Sequence, residues 1–189
     1  NLQRNDGKSP KELDKLFKEH FSPINNIKFS KIEIFNNKKL GQFEEELDFT
    51  ASDYAVTSGN QFLIPINAFN KTTIAPSRVR SRKLPFELSS GFKDVDEVII
   101  SLPQGLTIDY IPDNIKLETK FGSYEMNLYK IDDFKYNFKR TFILKEGGFL
   151  KEEYTHFRDF LKKVRKYDNS KIVLIKNIVI IIIPIIASS

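Results

Sequence analysis

Hydrophobic and polar positions alternate most regularly over residues 120–144. There Phe134, Tyr136, Phe138, Arg140, Phe142 and Leu144 fall on one side of a period-two ribbon, with Lys135, Asn137, Lys139, Thr141 and Ile143 on the other. This is the pattern of a long β-strand with one aromatic, core-facing side. Upstream, Tyr124, Met126 and Leu128 alternate with Glu125, Asn127 and Tyr129, and Ile131-Asp132-Asp133 is short and polar enough to turn the chain. The two segments are predicted to pair antiparallel as half of a sandwich.

The same patterning predicts the other elements. Ser9-Pro10-Lys11-Glu12 supplies a helix cap, a proline at the first helical position and an early acid, after which Leu13, Leu16, Phe17 and His20 recur at helical spacing. Ile27, Phe29, Ile32 and Ile34 predict a strand whose phase slips after Phe29, as at a bulge. A turn is expected at Asn36-Asn37-Lys38-Lys39, and Phe43, Glu45, Leu47, Phe49 and Ala51 share one face of the returning strand. Phe62-Leu63-Ile64 is followed by Pro65, which points to an edge strand or an extended loop. Residues 71–77 are expected to be exposed. Residues 95–102 form a strongly apolar strand with Val98, Ile100 and Leu102 on one face, expected at the centre of a sheet, and Leu106, Ile108 and Tyr110 are expected to return beside it after Pro103-Gln104-Gly105. Ile115, Leu117 and Thr119 lead into the long hairpin, which Gly147-Gly148 ends. Phe157, Phe160, Leu161 and Val164 stripe a second helix, with Glu152-Glu153 at its start and Arg165-Lys166 at its end, and residues 171–175 form a last strand. The fold class expected is mainly β: an antiparallel β-sandwich-like domain with two flanking α-helices. Residues 1–22 are assigned to a helical linker from a missing upstream domain, 23–176 to the sandwich-like domain and 177–189 to an apolar tail of uncertain role.

Composition narrows the chemistry. The chain has 189 residues, with 17 Phe and 7 Tyr, enough for a Phe-rich core in one domain. It has no Cys, which excludes disulfides, thiolate metal sites and Cys nucleophiles. Its net charge of +5 is spread along the chain. Arg78, Arg80, Arg82 and Lys83 cluster, but no aromatic residue interleaves with them, so no nucleic-acid partner is expected. The apolar run 178–187 is too short for a helical span and contains Pro184, which disfavours a membrane anchor.

No catalytic, cofactor-binding or metal-ligating set is expected. His20 and His156 sit on helices away from any recognisable triad spacing, and no phosphate-cradling glycine loop or G-x-S-x-G is present. Asp94 or Asp96 with Asp132 or Asp133 form a carboxylate pair only if the loop after Gly91 and the hairpin turn share one end of the sandwich. As solvated loop acids, all four are expected to tolerate change to Asn within about 1 kcal/mol. Exposed Tyr54, Tyr110 and Tyr129 are the candidate stacking residues for a glycan or peptide.

Arg82-Lys83-Leu84-Pro85-Phe86, residues 98–102 with Pro103-Gln104-Gly105, and Phe121-Gly122-Ser123-Tyr124 together resemble a known bacterial arrangement. So do Arg140-Thr141-Phe142, Tyr154 with Phe157-Arg158-Asp159-Phe160, and Asp168-Asn169-Ser170-Lys171-Ile172-Val173-Leu174. The chain is similar, over residues 9–175, to the C-terminal domain of unknown function that follows a transglutaminase-like domain in large bacterial envelope proteins. The resemblance implies a periplasmic or cell-surface location, a partner domain upstream in the same polypeptide, and a Cys-His-Asp triad lying there. It implies a non-catalytic accessory role for this chain, a glycan- or peptide-binding module being the alternative. The tail after Ile175 departs from the pattern.

Overall fold

The computed structural model describes residues 7–22, 24–37, 39, 42–72 and 75–176. The expected apolar tail lies outside them. The chain divides into two compact units, residues 1–56 and 57–189. Sequence patterning placed the division after residue 22 instead.

In the first unit, helix α1 (Pro10–His20) is held by a capping box: the Glu12 N–H donates to the Ser9 hydroxyl, and the Glu12 carboxylate accepts from the Ser9 N–H at 2.9 Å. Its buried residues are Leu13 and Phe17. Strands β1 (Ile27–Asn37) and β2 (Gln42–Ala51) form an antiparallel hairpin with the expected bulge, between Phe29 and Lys31. The turn comes later than the asparagines suggest, because Asn36 and Asn37 still pair with Phe43 and Gln42; Lys38 of the expected turn lies outside the described residues. Phe17, Phe21, Phe29 and Phe49 gather their rings at 5.8–6.4 Å between centroids. That is the ordinary spacing of interacting aromatic pairs.

The second unit holds two four-stranded sheets. Strands β6 (Phe92–Ser101), β8 (Ile115–Thr119), β9 (Gly122–Lys130) and β10 (Lys135–Leu144) form one, in the order β6-β10-β9-β8. Strands β3 (Val56–Ser58), β4 (Gln61–Pro65), β7 (Leu106–Tyr110) and β12 (Lys171–Lys176) form the other, in the order β3-β4-β12-β7. A small pair joins β5 (Phe86–Leu88) to β11 (Gly147–Phe149), so Gly147 and Gly148 belong to a strand of their own. Helix α2 (Tyr154–Asp168) follows a 3-10 turn at Lys151–Glu153. Among the described residues the fold is mainly β with two α-helices, as expected.

Three strand placements differ from expectation, for one reason: alternation reports which side is buried, not which strand lies alongside. β6 is an edge strand, with Val95 and Ile99 exposed on its outer face. β4 is internal to its sheet, its proline confined to the last residue, where little of the ladder is lost. After the turn at Gly105, β7 pairs with β12 of the other sheet instead of returning along β6. The long hairpin is as predicted, β9 and β10 pairing from Tyr136↔Lys130 to Leu144↔Gly122. Only a glycine fits at 122, since φ is +151° and a Cβ would collide with the Ile143 carbonyl. Tyr124, Met126, Leu128, Tyr136, Phe138 and Phe142 from this hairpin share one core with Ile172 and Leu174 of β12 and with Phe157, Phe160, Leu161 and Val164 of α2.

Candidate functional site

Arg140 stands in the aromatic row of β10, and its neighbours on the same face fill the core, so its guanidinium is carried into the interior at 1% exposure. Burying such a charge is costly unless it is paired and hydrogen-bonded. The pair comes from α2, whose last residue, Asp168, is also 1% exposed. Arg140 Nε donates to Asp168 Oδ1 at 2.7 Å and Nη2 donates to Oδ2 at 3.1 Å, a bidentate fork. Nη1 donates to Asp96 Oδ2 at 2.8 Å, from the facing position on β6. The rings of Tyr124 and Phe142 lie 5.6 Å from the guanidinium carbon.

Asp168 accepts more than the fork. The Tyr124 hydroxyl donates to Oδ1 at 2.9 Å, the Asn67 amide to Oδ1 at 3.3 Å and the Thr72 backbone N–H to Oδ2 at 2.8 Å. An acid in the last turn of a helix is disfavoured by the helix dipole, and these donors offset that cost. Asn67 also donates to the Asn70 carbonyl and accepts from its N–H, which fixes the 67–72 segment beside the cluster. Residues 71–77 were expected to be exposed; Lys71 and Thr72 are half-buried because of this attachment. Burial pulls the Arg140 pKa down, but bonding to Asp168 and Asp96 outweighs it and the net shift is upward. Burial, reinforced by the Asp168 charge, pushes the Tyr124 hydroxyl up. For Lys71 burial is the main cause of a lowered pKa, with Lys171 adding to it. A cleft of about 350 Å³ opens beside the cluster, lined by Lys71, Asp94, Phe92 and Phe142 among others.

Chemically, the cluster is a clasp. A guanidinium does not deprotonate in a protein, and Asp168 already receives five hydrogen bonds. No lone pair is left poised for a proton or a nucleophilic attack. Instead one carboxylate ties β9, β10, the end of α2 and the 67–72 segment together, while Asp96 adds β6.

The acids foreseen as solvated loop residues must be corrected. Asp94 and Asp96 lie on β6, facing Phe142 and Arg140. Asp132 and Asp133 lie at the other end of the hairpin, just before Lys135, which pairs with Ser101. Seven residues of strand, about 23 Å, separate the two ends, so these acids do not form a hydrolytic pair. Asp133 bonds Lys130 at the surface, and Asp132 accepts from the Phe134 N–H to shape the turn. Asp96 is the exception to free substitution. Asp96→Asn is expected to cost roughly 1.5–3 kcal/mol, the range for a hydrogen bond to a charged group, whereas Asp94→Asn stays within about 0.5 kcal/mol. Urea unfolding of the two single variants checks the difference; equal values would put Asp96 outside the clasp.

The candidate tyrosines fall on different elements. Tyr54 belongs to the first unit and is half-buried, with burial pushing its pKa up to about 12. Tyr110 and Tyr129 are exposed, at 53% and 49%, but stand on β7 and β9 of different sheets. The structure therefore does not bring Tyr110 and Tyr129 into one platform. In the 78–83 stretch, Arg82 lies over the Tyr154 ring at 4.6 Å and donates to the Leu84 carbonyl at 3.0 Å. Tyr154 and Arg158 in turn donate to the carbonyls of Ser77 and Pro76, so this basic loop is strapped to α2. His20 is exposed in the first unit, and His156 lines a groove on α2.

A mainly β domain closed by an internal Arg-Asp clasp is what fold and site define. Residues 60–174, more than half of the chain, match the family described as "Domain of Unknown Function with solved-structure structure (DUF3858)", and the chain belongs to that family. No curated protein and no solved structure matches it. Among the described residues no helix is long and apolar enough to cross a membrane.

Proposed function

We propose that this chain is a non-catalytic accessory domain of a transglutaminase-like bacterial envelope protein, packing against or steadying a catalytic domain that precedes it in the polypeptide. The two four-stranded sheets of the second unit are, in this reading, the layers of a β-sandwich-like module. Support for the layers comes from the single core that both sheets share with α2. The observation that carries the functional reading is the clasp: the most deeply buried polar side chains are spent on joining five segments to one another. Residues poised for catalysis ordinarily keep a titratable group free at a pocket, with a pKa tuned to the task. The transglutaminase-like partner and the periplasmic or surface location rest on the sequence resemblance alone.

The test is to read the coding region upstream of Asn1 and express the upstream domain with and without this chain. A Cys-His-Asp triad upstream, with a melting temperature several degrees higher when the chain is attached, is the expected result. An upstream region without those three residues overturns the proposal, and so does a catalytic domain whose stability and activity are indifferent to the chain.

A further inference from the structure

A groove of about 720 Å³ runs between β8 and α2, lined on one side by residues 116–119 and on the other by His156, Asp159, Phe160, Lys162 and Lys163. β8 is the edge of its sheet, paired only with β9 within it. Which of its backbone groups are free follows from the hairpin. The Phe121 carbonyl accepts from the Lys145 N–H, and β9 residues of the same parity therefore face β10. Leu128 instead points its N–H to the other side, where it donates to Asn114 Oδ1 at 2.7 Å. Gly122, Tyr124 and Met126 share that parity and pair with Thr119, Leu117 and Ile115. Lys116 and Glu118 consequently turn their backbone N–H and C=O groups away from β9, into the groove.

We propose that this groove is a docking site for an extended acidic peptide segment, which adds to β8 as a fifth strand of the sheet. The unpaired edge supplies main-chain hydrogen bonds, the mode by which extended peptides commonly join sheets. An edge strand left beside a helix that does not close on it is a ready template for such pairing. The helix wall supplies the charge preference. Lys116 is matched to Glu118 on the same strand at 3.6 Å, which leaves Lys162 and Lys163 against Asp159 facing the groove. Lys166 stands one turn further along the same helix and is exposed. Acidic side chains on alternate residues of the incoming strand point to the face that α2 covers and meet this wall, while their neighbours point to the opposite face, beside the exposed Lys116 and Glu118. The inference does not depend on the accessory role proposed above.

The probe is a fluorescein-labelled six-residue peptide of alternating Glu and Val, with alternating Lys and Val as control, titrated into the full chain by fluorescence anisotropy. Expected results are binding of the Glu-Val peptide that weakens with salt, amide shifts confined to residues 115–119 and 156–163, and slowed exchange of the Lys116 and Glu118 amides. Glu118→Pro removes an outward donor without touching the β9 ladder and is expected to weaken binding at least tenfold, while Glu118→Ala retains it. The double variant Lys162→Glu/Lys163→Glu is also expected to lose at least tenfold. Binding that survives Glu118→Pro would reduce the site to a charged surface and overturn strand addition. Equal binding of the Lys-Val peptide, no binding at millimolar peptide, or unchanged exchange at Lys116 and Glu118 in the unsubstituted chain would overturn it too.

Discussion

Asp168→Ala is expected to destabilise the second unit by about 3–5 kcal/mol, the cost of stranding one member of a buried ion pair. The substitution leaves the Arg140 guanidinium at 1% exposure with Asp96 as its remaining carboxylate, orphans the Tyr124 hydroxyl and the Thr72 N–H, and leaves the Asn67 amide only the Asn70 carbonyl. Arg140→Met is expected to cost less. It removes the cation and fills its volume, and Asp168 keeps three donors that still solvate its charge. Urea melts of both variants decide the matter. If Arg140→Met proves the more damaging, the cluster is organised around the arginine and not around the carboxylate.

Phe138→Asp is expected to abolish folding of the second unit. Phe138 is 1% exposed at the middle of β10, with Val98 of β6 on one side and Leu128 of β9 on the other. An aspartate there meets no donor from its cross-strand neighbours, and the penalty of several kcal/mol is a large share of the stability of an ordinary domain. Arg140, two residues along on the same face, has its own carboxylates already in place. Loss of the cooperative melt in circular dichroism is the expected observation; a soluble variant with an unchanged melting temperature would place Phe138 outside the core.

Local pattern carried much of the fold. The long hairpin, the capped first helix, the slip after Phe29 and the apolar stripe of the second helix were all legible, because each is written in residues a few positions apart. Pairing between distant strands was not. The apolar run ending at Leu102 suggested a central strand, yet β6 lies at an edge, since Val95 and Ile99 are tolerated on its open outer face. The turn at Gly105 fits a return along β6 as well as a crossing to β12, and only the completed core distinguishes them. The clasp had one visible signal: an arginine in an otherwise aromatic row. Its partner lies 28 residues on, at a helix end where an acid is ordinarily disfavoured, and the other donors come from up to 101 residues away. No spacing rule connects them. The apolar pattern places a strand from Val95 on, and the register with β10 carries it back through the charged residues to Phe92, so that Asp94 and Asp96 both stand in it.

The distances in sequence spanned by the clasp bear on when it forms. Hairpin β9–β10 closes through neighbours joined by four residues, whereas Asp168 must find Asn67 and Thr72 across 101 and 96 residues. Closing such long loops costs entropy before any contact repays it. The carboxylate is therefore expected to be seated late, so that Asp168→Ala speeds unfolding far more than it slows refolding in stopped-flow urea jumps. For a domain outside the reach of cytoplasmic chaperones, as the proposed envelope location would make it, such a late-seated latch would set the lifetime of the folded state against proteolysis.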